Sequence, residues 1–387
     1  MKTRSDRING LVQSEIRAMT RACDAVGGVN LGQGICDTPT PTIVEEAASE
    51  AIATHRSTYT RFDGTAELRE ALAAKFRRDN NMAPDAETEV VVTVGSSGAL
   101  ACTLNALCDP GDELLLFEPF YGYHMNTALV AGMVPKPIPL HPPSFTLDTD
   151  AIEQSITPRT RAILINTPVN PSGKVFSREE LVRLSALCIK HDLLCITDEV
   201  YEYLIYGDHE HVSMGSLPGM WERTVTLGSY SKTFSITGWR IGYATAAAPL
   251  AAAIGLMNDL YYICSPHPLQ LAVAKGIREL PASFYTDMRD EYLAKRDDFC
   301  SVLTEVGLPP VVPDGAYYVL ADVSRLGEAT AKDAAMRLLH ESGVASVAGS
   351  AFFVGPEGEK YVRFCYAKRD EPLNRAMNQL RAWGKRR

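Results

Sequence analysis

A lysine set among hydroxyls is the most chemically pointed residue in this sequence. Lys232 lies in Ser229-Tyr230-Ser231-Lys232-Thr233-Phe234, directly after the apolar run TVTLG (224–228), and Gly238-Trp239-Arg240-Ile241-Gly242 follows. An amine at a strand end can form an imine with a carbonyl compound, and an arginine eight residues on can clamp a phosphate. A lone lysine on a loop is ordinarily a solvated charge, so this reading depends on its company. Three more apolar runs end in polar or reactive groups. LLCIT (193–197) leads into Asp198-Glu199-Val200-Tyr201, and a carboxylate leaving a buried strand is costly unless it meets a proton donor or a cation. AILIN (162–166) leads into Asn166-Thr167-Pro168-Val169-Asn170-Pro171-Ser172-Gly173, which could equally be a tight turn. VVVTV (90–94) leads into Gly95-Ser96-Ser97-Gly98 and a helical stretch, whose free N–H groups suit an anion. Its glycine spacing is not that of the G-x-S-x-G nucleophile elbow.

These groups need a scaffold that brings strand ends together. The runs above, with ELLLF (113–117) and IGYATA (241–246), include several that are apolar on both alternations, as strands covered on both faces must be. Amphipathic helical segments lie between them, among them 177–191, which opens with a Ser177/Glu180 capping box. Such alternation predicts an α/β fold with a mostly parallel sheet between helices, where ligands collect at the carboxyl ends of the strands. Beyond about residue 275 a long helical segment (283–306) is followed by strand candidates at 316–323 and 361–367 with a helix at 331–342 between them. The expected division is an N-terminal arm and first part of a small domain (1–40), a large domain (41–275) and a smaller α+β domain (276–387).

The chain has 387 residues, too many for a typical single core, and a formal net charge of −9, which argues against nucleic-acid or membrane partners. Nine cysteines without a C-x-x-C pair read as reduced core thiols. His209 and His211 stand two apart in a polar loop and read as exposed loop histidines rather than metal ligands, so no metal is expected. The opening MKTRSDRING lacks an apolar core for a signal peptide, and the weakly polar stretch 244–256 is too short to span a bilayer. A cytoplasmic protein is expected.

Taken in order, these segments resemble the class I/II aminotransferases, the aspartate-aminotransferase-like pyridoxal-phosphate enzymes of fold type I. The similarity covers nearly the whole chain and rests on TDEVY (197–201), SYSKTF (229–234), GWRIGY (238–243) and NPSG (170–173). LGQG (31–34) and EPFYGY (118–123) have the style of the kynurenine and glutamine transaminase branch. The resemblance implies that Lys232 carries pyridoxal 5'-phosphate as a Schiff base and shuttles the substrate Cα proton. It implies that Asp198 pairs with the pyridine nitrogen, that Tyr201 and Asn170 hydrogen-bond the ring oxygen, and that Tyr121 stacks on the ring. The phosphate would be held by Gly95, Ser96, Ser97, Ser229 and Arg240, and by Tyr59 of a neighbouring subunit, which implies a homodimer with shared active sites. Arg363 in YVRF (361–364) would bind the substrate α-carboxylate, helped by Asn170 and the Gly34 backbone. The implied activity moves an amino group from an L-amino acid to a 2-oxo acid, ping-pong, through pyridoxamine phosphate.

Two departures stand out. The family's G-x-P-D-F is Gly34-Ile35-Cys36-Asp37-Thr38 here, with Cys36 expected as a buried bystander thiol. The segment Tyr261-Tyr262-Ile263-Cys264-Ser265-Pro266-His267 holds no arginine for a second carboxylate, which points to an uncharged or aromatic substrate side chain. The same lysine, aspartate and arginine would also serve a β-elimination lyase or a cyclopropane-forming synthase. A non-catalytic pyridoxal-phosphate-binding protein is a third reading, disfavoured by the retention of Lys232 and the lack of a basic face.

Overall fold

The computed structural model describes residues 3, 5, 8, 11 and 15–386. After a helix over Glu15–Val26 comes a two-residue strand, β1 (Val29–Asn30). The large sheet follows: β2 (Val90–Val94), β3 (Glu113–Glu118), β4 (Val134–Pro139), β5 (Thr160–Asn166), β6 (Leu194–Asp198), β7 (Thr224–Ser229) and β8 (Ile241–Thr245). Its spatial order is β2-β8-β7-β6-β5-β3-β4. The pairs from β7 through β6, β5 and β3 to β4 are parallel, while β8 runs antiparallel to both of its neighbours.

The reversal of β8 has a direct consequence for chemistry. Six strands finish at one edge of the sheet and β8 begins there, so Arg240, just before β8, arrives beside the ends of β2 and β7. The register makes this concrete, with Val94 opposite Ile241 and Ser229 opposite Gly242. The sheet is covered on both faces. Leu114 and Leu116 enter one apolar cluster, while the intervening Leu115 and the following Phe117 enter another. Both faces are therefore apolar, and the strands read as continuous hydrophobic runs.

The expected strands lie within a residue or two of those observed. A seventh strand, β4, was not anticipated, because VPKPIP carries three prolines. Proline lacks the N–H that a central strand must donate, and β4 sits at the outer edge, where that loss is tolerated. The helix after β5 spans Arg178–Lys190, and its capping box forms between Ser177 and Glu180.

The C-terminal part carries β9 (Pro310–Val311), β10 (Tyr318–Asp322), β11 (Val344–Ala345), β12 (Val347–Ala348) and β13 (Tyr361–Cys365). A four-stranded antiparallel sheet runs β12-β13-β10-β9, and β1 pairs parallel with β11, so the N-terminal segment joins the C-terminal one. The helices Ala282–Glu305, Ala331–Ser342 and Asp370–Gly384 contribute Phe299, Leu338 and Trp383 to one core with Val362 and Phe364 of β13. Arg363, between those two apolar residues, points to the opposite face of its strand. No helix among the described residues is long and apolar enough to cross a membrane.

Candidate active site

The strand ends converge on a cavity of about 460 Å3. Lys232, half-buried in its wall, donates from Nζ to the carbonyl oxygen of Gly34 at 3.0 Å. Burial lowers the ammonium's pKa below the ordinary lysine value, because the charged form loses hydration that the site does not replace. A lysine held this way has a larger share of neutral, nucleophilic amine.

Asp198, at the end of β6, is only 7% exposed and aims its carboxylate into the same cavity. Its Oδ2 lies 2.8 Å from Nε2 of His124, a residue the sequence reading missed. His124 sits in the helix Gly122–Val130 that follows Tyr121, three residues on, and the two rings meet edge to face with centroids 5.3 Å apart. Tyr121 itself lines the cavity, and burial pushes its hydroxyl up to about 12. The Asn166 side chain donates to the Asp198 carbonyl at 2.9 Å and accepts the Asn170 N–H at 2.9 Å, which locks the two strand ends together.

The corner of the cavity between β2, β7 and β8 is built for an anion. Gly95 opens the helix Gly95–Leu107 with a φ of +69°, and an added Cβ would stand 2.4 Å from a guanidinium nitrogen of Arg240. Only glycine allows the arginine so close to the free N–H groups of the helix start. Ser96, Ser97, Ser229 and Arg240 line this part of the wall. The Ser229 hydroxyl lies 2.7 Å from that of Ser231 and 2.8 Å from the carbonyl of Ile241. Arg240 donates to the Thr237 carbonyl at 2.9 Å and has no carboxylate partner among the described residues.

Arg363 comes from the other sheet. Its Nη1 donates to Oδ1 of Asn170 at 2.8 Å and its Nη2 to the Gly32 carbonyl at 2.7 Å, while the buried Nε has no partner. The guanidinium lies 4.3 Å from the ring centre of Tyr318 and 4.6 Å from that of Phe352. It too has no carboxylate partner among the described residues. Tyr201 places its hydroxyl 3.0 Å from that of Tyr318, and burial raises both. Tyr318 also explains Gly34, where an added Cβ would fall 2.0 Å from the Tyr318 hydroxyl.

Not every expected residue is here. Tyr59, expected at a neighbouring subunit's phosphate rather than its own, is 79% exposed and does not line the cavity of its own chain. The residues Tyr261 to His267 do not line it either. Tyr261 and Tyr262 end the helix Ala248–Tyr262, with Tyr261 on the surface, and His267 begins the next helix. The uncharged wall comes instead from Ile16, Tyr121 and Tyr123. Cys36 is buried, with its sulfur 3.7 Å from the Lys232 carbonyl oxygen, outside the cavity lining. The exposed-loop reading of His211 is corrected. Its Nε2 lies 2.8 Å from the buried Glu199 carboxylate, which raises the His211 pKa against the cost of burial, while His209 stays exposed near Asp314. Glu199, Glu202 and His211 cluster closely enough to hold a cation, and Lys75, in an ion pair with Glu202, already supplies one.

These features fit pyridoxal phosphate on three counts. A desolvated amine can take the aldehyde, a glycine-opened helix start with a free arginine can take the phosphate, and a buried carboxylate can face a ring nitrogen. The comparisons agree. The family model described as aminotransferase class I and II matches residues 26–380. The chain is similar to kynurenine–oxoglutarate transaminase 3 of Rattus norvegicus, 36% identical, with 98% of this chain and 90% of that protein covered. Its fold superposes on N-succinyldiaminopimelate aminotransferase from Mycobacterium tuberculosis with a TM-score of 0.95 at 35% identity, covering 98% of this chain and all of the other. It also superposes on an Escherichia coli protein with a methionine aminotransferase function, with a TM-score of 0.94 at 31% identity over 99% of this chain and all of that one.

Proposed function

Since the chain belongs to the class I and II aminotransferases, a family that uses pyridoxal phosphate, we propose that it works ping-pong, taking the amino group of an L-amino acid with an uncharged, apolar side chain and passing it to a 2-oxo acid at the same site. The carrying observation is that one cavity gathers Lys232, Asp198 and two arginines without carboxylate partners, one beside each sheet.

When bound, pyridoxal phosphate supplies an aldehyde for imine exchange and a ring that accepts the electron pair left at the substrate Cα. The protein supplies the rest. Arg240, Ser229 and the Gly95–Ser97 turn hold the phosphate. Asp198 keeps the ring nitrogen protonated, and His124 holds that carboxylate in place. Arg363 grips the α-carboxylate with its planar fork and so orients the Cα–H bond. Lys232 Nζ, at the wall of the cavity, is the group that would hold the proton leaving the substrate Cα. Burial lowers the lysine's pKa below its ordinary value, which favours the neutral amine that can accept a proton.

The donor class is supported by a second hollow, of about 340 Å3, that shares Ile16, Tyr121 and Tyr123 with the main cavity and is walled by Phe120, Leu129 and Phe352. Its lining is mostly apolar, with Glu15 as its sole ionisable group apart from the tyrosines. The deciding experiment adds phenylalanine alone to the holoenzyme. The visible band of the bound cofactor should vanish stoichiometrically and return on addition of a 2-oxo acid. With an S-alkylcysteine, whose thiolate can leave from Cβ, release of thiol and ammonia with the band retained would instead mark an elimination reaction.

A further inference from the structure

Tyr318 lines the main cavity, and the function proposed above gives it no part. It opens β10 opposite Cys365 of β13, two residues from Arg363 and on the same face of that sheet. This register sets its ring 4.3 Å from the Arg363 guanidinium, against which Phe352 also packs at 4.6 Å. With the ring held by packing, the hydroxyl stands beside Gly34, where an added Cβ would fall 2.0 Å from it. The Gly34 carbonyl in turn takes Lys232 Nζ at 3.0 Å. Among the described residues, the one hydrogen-bond partner of the Tyr318 hydroxyl is the hydroxyl of Tyr201, 3.0 Å away, and Tyr201 has no other.

Two phenols that share one hydrogen bond leave one proton over for a ligand. Both side chains are buried, both line the cavity, and burial raises both pKa values, so both phenols stay protonated near neutrality. Tyr318 is hemmed in by Gly34, whereas Tyr201 follows three residues after Asp198, the carboxylate that would face the ring nitrogen. We propose that Tyr318 is a positioning residue for amino transfer, its hydroxyl donating to that of Tyr201 and so committing the Tyr201 proton to the ring oxygen of the cofactor. The inference rests on the reading that Tyr201 meets that oxygen. A hydroxyl that accepts one hydrogen bond becomes a stronger donor in the other. The Arg363 cation beside the Tyr318 ring acts in the same direction, since a nearby positive charge makes a phenol a better donor. Without the Tyr318 hydroxyl, the Tyr201 O–H loses the partner that fixes its direction.

The test follows the visible band of the holoenzyme across pH, which reads the bound cofactor without turnover. A hydrogen bond donated to the ring oxygen holds negative charge there, and so lowers the pH at which the adjoining imine nitrogen loses its proton. Tyr201→Phe should raise that midpoint by about one unit or more. Tyr318→Phe, which keeps the ring, should raise it by about half a unit, a roughly threefold change in proton affinity. In the Tyr201→Phe background the second substitution should add nothing. Calorimetric binding of 3-phenylpropionate, which has no amino group to react, should be equal in wild type and Tyr318→Phe, because the ring against Arg363 remains. An unmoved midpoint in Tyr318→Phe, a full further shift in the double variant, or weaker binding of the acid overturns the proposal. An unmoved midpoint in Tyr201→Phe overturns the ring-oxygen reading and the proposal with it, whereas a shift in Tyr201→Phe without one in Tyr318→Phe leaves that reading standing.

Discussion

Two arginines in one cavity recognise different anions, and this separates their loss. Arg363→Lys keeps a charge but not the fork that spans two carboxylate oxygens, so the variant should keep its cofactor spectrum. Its kcat/KM should fall by about thirty- to thousand-fold with every amino donor, corresponding to about 2–4 kcal/mol. A loss confined to acidic donors would assign Arg363 to a side chain. Arg240→Gln should instead release cofactor on gel filtration. A second change tests the aspartate's partner. His124→Leu removes the group 2.8 Å from Asp198 and should lower kcat about tenfold or more at nearly constant donor KM, read by steady-state kinetics. Lys232, Asp198, Asn170 and Arg240 were legible because each stands beside an apolar run whose period marks a strand end. His124 and Tyr318 were not, because each reaches the cavity only through packing between elements distant in sequence.

At the scale of elements, the sheet's outer strands are tied by a carboxylate rather than by apolar packing alone. Glu113, at the start of β3, accepts from Thr157 at 2.7 Å, Thr160 at 3.0 Å and Arg159 at 2.8 Å, with Lys136 of β4 at 3.4 Å. Burial works to raise this carboxyl, and the hydrogen bonds from Thr157, Thr160, Arg159 and Lys136 overcome it, holding it at about 2 against an ordinary 4.5. The folded-state value lies below the unfolded one. Its stabilisation is therefore complete above pH 4.5 and is lost as the pH falls toward 2. Denaturant titrations across that window should show Glu113→Gln with a shallower acid slope than the wild type, and identical slopes would refute the tie. The sequence showed six of the seven strands because burial on both faces forces long apolar runs. It hid β4, whose prolines read as a loop, and it hid the direction of β8, since reversing a strand leaves its side-chain period unchanged.

For the whole molecule, several of the exposed apolar residues lie on or against one helix. Leu256 and Leu260 on the helix Ala248–Tyr262 are 61% and 70% exposed, and Tyr59 and Phe62 belong to a segment held to that helix by Asn258, which donates to the Phe62 carbonyl. We propose that a second copy covers this patch and receives Tyr59 at its phosphate corner, since an exposed apolar cluster favours burial against a partner. Mixing inactive Lys232→Ala chains with an inactive Tyr59→Ala variant should regain activity through hybrid dimers. Two inactive chains that stay inactive when refolded together would argue against a shared site. The lone reversed strand also bears on the order in which a growing polypeptide acquires its parts. Gly95 is made early, Ser229 much later, and Arg240 later still, just before the chain turns back along β8. During translation the phosphate corner thus stays open until well over half of the polypeptide exists, and Arg363 follows nearer the end. A ribosome-bound fragment that ends before Arg240 lacks the guanidinium of that corner and should not retain the vitamin-derived cofactor, a loss that absorbance of stalled chains would read.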